Sequence, residues 1–158
     1  MGAREWLGLK VMISAAMQKP ADEQQVLEVN DAFYQAMQSL DLAGMEDVWW
    51  HEDWVCCLHP GWELLSGWEK IKESWVSIFH ATGQLRVSVR EPLVSVIGDA
   101  AWVICIEQLT SLLETDFTTA RVQTTNIFVR RKGQWRMVHH HKTPLPDRVM
   151  AGITHSVQ

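Results

Sequence analysis

The spacing of apolar positions changes once along the chain, near Leu85, and that change predicts two layers. Before it, Val26, Val29, Phe33, Met37 and Leu40 recur every three or four residues after Pro20-Ala21-Asp22-Glu23, as in an amphipathic helix opened by a proline and acids. Leu42, Met45, Val48 and Trp49 make the stripe of a short second helix that Asp41 can cap. Trp68, Ile71, Trp75 and Ile78 mark a third, which ends at Thr82-Gly83. A strand at Trp54 to Leu58 stops at His59-Pro60-Gly61. After Leu85 the period is two: Leu85, Val87 and Val89 alternate with Arg86, Ser88 and Arg90, and Gly98-Asp99 turns the chain into a strand from Ala100 to Thr110. Arg121 to Arg131 and Gln134 to Lys142 form a second hairpin around Lys132-Gly133, so the fold class is α+β. Residues 1–19 have no clear partner face and are expected to be a weakly structured extension; 20–144 form the domain and 145–158 a tail.

The strand from Ala101 to Ile106 is apolar at nearly every position, so both its faces should be covered. Helices can cover one. The other is expected to meet a second copy, giving a homodimer through the sheet, with Ala101, Val103 and Cys105 on that outer, convex face. A length of 158 residues with 47% hydrophobic content suits one domain. Nine tryptophans against one tyrosine imply an apolar concavity or a buried interface. The net charge of -5 with no basic stripe argues against nucleic acid, and no segment is long enough to suggest a membrane span. Cys56, Cys57 and Cys105 are odd in number and lie in apolar runs, which predicts reduced thiols and a cytoplasmic protein.

The last strand carries the chemistry. Strict alternation places Trp135, Met137, His139 and His141 on one face and Arg136, Val138, His140 and Lys142 on the other. His139 and His141 have a spacing that can grip zinc, but no carboxylate or cysteine cluster accompanies them, so neither a metal nor a cofactor is expected.

Asn30-Asp31-Ala32-Phe33-Tyr34-Gln35-Ala36, Cys57-Leu58-His59-Pro60-Gly61-Trp62, Gly67-Trp68, Thr124-Thr125-Asn126-Ile127-Phe128 and Trp135 to His141, in that order, resemble the nuclear transport factor 2-like superfamily and its SnoaL-like branch. The resemblance covers about residues 25 to 144 and implies a cone-shaped, cystatin-like fold, with three N-terminal helices packed on the concave face of a curved antiparallel sheet around a pocket. In the similar steroid isomerases the base would fall at His59, the oxyanion-donating tyrosine at Phe33 and its partner acid at Asn126, a poor match because phenylalanine donates nothing. In the similar association domain of calcium/calmodulin-dependent kinase II the pocket arginines would fall at Gln108, Asn126 and Lys142. Both likenesses put Val138, His140 and Lys142 inside.

The candidate site is therefore His59, His140 and Asn126 as catalytic groups, with Phe33, Trp49, Gln108 and Lys142 contacting a ligand. His59 can be a proton acceptor at the cavity mouth or a strand-end residue bonding its neighbours. Asn126, His140 and Gln108 can be a polar pocket floor or a self-satisfied network, and Trp49 with Trp50 and Trp54 an aromatic wall or plain core. The leading expectation is binding of a small organic molecule. The alternatives are a SnoaL-like isomerase, cyclase or hydrolase using a pocket histidine, and an assembly module.

Overall fold

The computed structural model describes the backbone of residues 3–113 and 116–146 and the side chains of 20–111 and 118–146; the loop expected between the hairpins lies partly, and the tail at 145–158 mostly, outside the described residues. Among them the elements run α1 (Ala3–Ser39), α2 (Leu42–Val48), β1 (Cys56–Leu58), β2 (Leu65–Ser66), α3 (Trp68–Ala81), β3 (Gln84–Ile97), β4 (Ala100–Leu113), β5 (Asp116–Arg131) and β6 (Gln134–Pro144). Three helices and one curved six-stranded sheet, ordered β2-β1-β6-β5-β4-β3, make the α+β cone.

The helices follow the apolar stripes. Val26, Phe33, Tyr34 and Met37 are buried along α1, and Trp68, Ile71, Trp75 and Phe79 along α3. Leu40 ends α1 in the left-handed conformation (φ 55°), and Asp41 N donates back to Ala36 O at 2.9 Å. Asp41 then accepts from Ala43 N at 3.1 Å as the cap of α2. Pro20, expected to open α1, lies inside it, and the backbone of residues 3–19 is helical where no single apolar stripe had marked a helix.

The long strands pair antiparallel in the predicted order. Lys132 and Gly133, both at positive φ (50° and 78°), form the tight turn between β5 and β6. One pairing departs from the antiparallel expectation. β1 runs parallel to β6, with Cys56, Cys57 and Leu58 opposite His139, His140 and His141, because the chain passes through α3 and the whole meander before β6 returns beside it. This pairing brings the end of β1, and with it His59, to the histidine run.

Two parity changes decide which side chains face the core. In β6 the register shifts so that Phe128 pairs with Met137 while Ile127 pairs with His139, leaving Val138 as a bulge. Trp135, Met137, Val138, His140 and Lys142 are all buried as a result, so the bulge turns Trp135 and Met137 to the same side as His140, against the strict alternation expected. In β4 the expected faces are exchanged. Val103 pairs with Asn126 and Asn126 with His140, so Ala101, Val103, Cys105 and Glu107 point inward, and Trp102, Ile104, Ile106 and Gln108 point outward. Alternation could not choose between Ala101, Val103, Cys105 and Trp102, Ile104, Ile106, since both sets are apolar.

Candidate functional site

The inner faces of β4, β5 and β6 meet one stripe of α1. Asn30, Tyr34 and Met37 on the helix lie against Glu107, Asn126, His140 and Lys142 on the sheet, and the polar members are at most 7% exposed. Buried polar groups need partners, and most of these have them. Lys142 Nζ stands 2.7 Å from Glu107 Oε2 and 3.4 Å from Met37 Sδ. Tyr34 donates its hydroxyl to Glu107 Oε1 at 2.7 Å, and Asn126 Nδ2 donates to Asn30 Oδ1 at 2.8 Å and to the Tyr34 oxygen at 3.2 Å. His140 Nδ1 lies 2.6 Å from Asn126 Oδ1. His140 Nε2 and Asn30 Nδ2 are buried without a hydrogen-bond partner among the described residues.

His59 arrives from the other direction. His59-Pro60-Gly61-Trp62 is a type II turn, with proline second, glycine third at φ 78°, and Trp62 N donating to His59 O at 3.1 Å. The turn sends the His59 ring inward, 2.9 Å through Nε2 from Ser74 Oγ on α3 and 3.6 Å from Cys57 Sγ. Its ring centroid is 6.5 Å from that of His140. Phe33 (4.8 Å) and Trp75 (6.0 Å) stand beside His140, and Trp62, 46% exposed, covers His59 from outside.

Burial sets the electrostatics. It lowers the pKa of His59 to about 4, helped by the positive charge of Lys142. It also pulls His140 well below its ordinary value, with Lys142 again the next cause, so both rings are neutral near pH 7. Burial raises Tyr34 far above its usual range, and Glu107 adds to the rise. The thiols of Cys57 and Cys105 are pushed by burial to about 12 and about 11, so neither is a thiolate nucleophile at neutral pH.

Of the predicted residues, the structure brings together His59, His140, Asn126, Lys142 and Phe33. It does not bring Gln108, which shares the outer face with Ile106 and lines a small groove with Arg90, Glu91 and Arg121. The inward polar group of β4 is Glu107, one residue earlier. Trp49 packs in the core with its ring 6.2 Å from that of Trp68, while Trp54 is 46% exposed, so of the two readings of these tryptophans Trp49 follows plain core. Asn30, Tyr34, Ser74 and Glu107 were not among the sequence candidates. Two signals pointed to them: Tyr34 is the single tyrosine, and Glu107 is a lone charge ending an apolar run.

The inside of the cone is packed with rings at this point. Two surface grooves lie elsewhere, one of about 700 Å³ between α1, α2 and the β5–β6 turn, the other of about 730 Å³ between the end of α1 and the start of β3. No group of three or more His, Cys, Asp or Glu is placed to hold a metal among the described residues; His139 and His141, with rings 6.1 Å apart, sit on the outer face.

The family profile for the SnoaL-like domain matches residues 26–146. The chain belongs to the SnoaL-like domain family. Among solved structures, this SnoaL-like domain is similar to a candidate dehydratase of the NTF2-like family from Streptomyces avermitilis, 31% identical, with a TM-score of 0.76 over 80% of this chain and 98% of that one. It is also similar to a candidate calcium/calmodulin-dependent protein kinase type II association domain from Thiobacillus denitrificans, 32% identical, with a TM-score of 0.67 over 75% of this chain and 93% of that one. A curated relative, the F-box protein SKIP8 of Arabidopsis thaliana, is 29% identical over 118 residues, 75% of this chain. The chain spans about half the length of that relative (48%). No described helix is long and apolar enough to cross a membrane.

Proposed function

We propose that this SnoaL-like domain binds a small organic molecule inside the cone, against His59 and His140 and with displacement of the rings packed there, with Asn126 and Lys142 as supporting polar groups and Phe33 as an apolar wall. The observation that carries the proposal is His140 Nε2. A fully buried polar nitrogen without a partner costs about 1–3 kcal/mol, and a ligand group at that position removes the cost. The neutral state of both imidazoles favours an uncharged or weakly polar molecule over a strong acid. A thermal-shift screen of the protein against small hydroxylated and carbonyl compounds, repeated on His140→Ala, tests this: hits should lose their stabilising effect in the variant. Hits that stabilise both proteins equally would place the binding elsewhere.

Loss of water from a hydroxylated ligand is a second reading, supported by the likeness to the candidate dehydratase, which this chain covers almost completely. In it His140 Nε2 takes the proton from the carbon next to the one bearing the hydroxyl, the C–H electrons form the C=C bond as the C–O bond breaks, and the same proton returns to the departing hydroxide, which leaves as water. Turnover of a screened hit, followed as a new unsaturated product and absent in His140→Ala, would support it.

Self-association through the sheet is the third part of the proposal. Trp102, Ile104, Ile106 and Ile127 are partly exposed on its outer face and Leu93 is 62% exposed beside them, an apolar stripe that a second sheet would cover. The likeness to the association domain points the same way. Light scattering at micromolar concentration should give a dimer or larger assembly, and Ile104→Asp should give a folded monomer.

A further inference from the structure

The proton positions in the buried cluster follow from counting donors, starting at the ion pair. The Lys142 ammonium pairs by charge with Glu107 Oε2 at 2.7 Å, and Glu107 Oε1 accepts the one hydrogen of the Tyr34 hydroxyl at 2.7 Å. With that hydrogen committed, the Tyr34 oxygen can only accept. The Asn126 atom 3.2 Å away must then be the Nδ2 donor, and the Cys105 thiol at 3.3 Å, which burial keeps protonated, donates to the remaining lone pair. The Asn126 amide is thereby oriented. Its oxygen faces His140 Nδ1 at 2.6 Å, and an amide oxygen carries no hydrogen, so Nδ1 carries the proton and the neutral ring leaves a bare lone pair on Nε2.

Resting on the ligand-binding reading above, we propose that Glu107, through Tyr34 and Asn126, is a positioning residue that locks His140 in the Nδ1–H tautomer, and that the ligand presents a hydroxyl to Nε2. Two further observations bear on the ligand class. Ser74 gives its hydrogen to Ile71 O at 2.6 Å, so His59 Nε2 is the donor in its 2.9 Å contact with Ser74, and His59 too keeps a lone pair, on Nδ1. Trp75, whose ring stands 6.0 Å from that of His140, has a buried indole N–H with no partner among the described residues. A hydroxyl can donate to an imidazole lone pair and accept from an indole N–H, whereas an ether or ketone can only accept.

Long-range proton–nitrogen correlation NMR on the full chain with labelled histidine tests the relay. The wild-type protein at neutral pH should show His140 as a single species, protonated at Nδ1 and bare at Nε2. Tyr34→Phe and Glu107→Gln, confirmed folded by tryptophan fluorescence, should lose that single species and show both tautomers; Met45→Ala, which loosens packing under α2 away from the relay, should keep it. Because Tyr34 is the one tyrosine in the chain, 3-fluorotyrosine labelling strengthens its hydroxyl as a donor with little change in volume and should shift the His140 Nδ1 resonance. A wild-type Nε2–H tautomer, or an unchanged single tautomer in the folded variants with an unmoved resonance on fluorination, would overturn the relay. Phenol and anisole at equal concentration then test the ligand class: phenol should shift His140 Nε2 and anisole should not. An equal shift from anisole would overturn the hydroxyl preference. The expected tautomer with no shift from either probe would leave the relay standing and sink the ligand-binding reading.

Discussion

On the inner face of β4 and β6, Glu107 and His140 are fully buried and Lys142 is 7% exposed, while their sequence neighbours Ile106, Gln108, His139 and His141 stay partly open on the outer face. Polar groups are therefore fully hidden on the inner face, whereas polar and apolar side chains alike are partly open on the outer one. Different kinds of support allow this. Inside, a directed chain runs from Lys142 through Glu107, Tyr34 and Asn126 to His140, and leaves His140 Nε2 and Asn30 Nδ2 unpartnered among the described residues. Outside, water or a second copy of the sheet must do the matching. The histidines show the consequence. Burial shifts all of His59, His139 and His140 downward, but His140 has Lys142 as its next cause, and His139 has its neighbour His141.

The comparison is broken most directly by removing one half of the buried ion pair. Glu107→Ala leaves Lys142 facing the core unpaired and should cost about 3–5 kcal/mol in urea denaturation, whereas Glu107→Met with Lys142→Leu should cost much less than the two single changes together. A loss under about 1 kcal/mol for Glu107→Ala would mean that Lys142 swings out to water.

Acid should separate the faces next. His59 and His140 have folded pKa values below the ordinary 6.5, so the unfolded chain binds more protons as pH falls. The contribution of each is complete above about pH 6.5 and is lost as pH falls through its folded value, about 4 for His59, at up to about 1.4 kcal/mol per pH unit. His59→Phe should flatten the measured stability between pH 6.5 and 4.5. An unchanged slope would show that His59 is not neutral in the fold.

Asn126→Ala should come third. It strands His140 Nδ1–H and Asn30 and should cost about 1–3 kcal/mol by chemical denaturation, with a further loss of any ligand found in the thermal-shift screen. The smallest effect is expected outside: His139→Ala and His141→Ala should each change monomer stability by less than about 0.5 kcal/mol, measured in an Ile104→Asp background so that self-association does not contribute. A larger change would mean that the outer imidazoles support the sheet itself.

The sequence by itself determined the two layers, the helix stripes, the caps and turns at Asp41, Pro60-Gly61 and Lys132-Gly133, and the inward position of His140. These are local properties. A 3.6-residue or two-residue period, a capping oxygen or a positive-φ glycine acts within a few residues and leaves its mark there. The tertiary structure decided the rest. Which face of β4 looks inward could not be read from a strand apolar on both sides; it was set by pairing with β5, which brought Glu107 in and put Gln108 out. The bulge at Val138, the parallel seat of β1 beside β6, and the meeting of Tyr34 with Glu107, 73 residues apart, depend on contacts between elements that no local period records. The partners that orient His140 are therefore spread over α1, β4 and β5, and only the closing of the cone makes them one site.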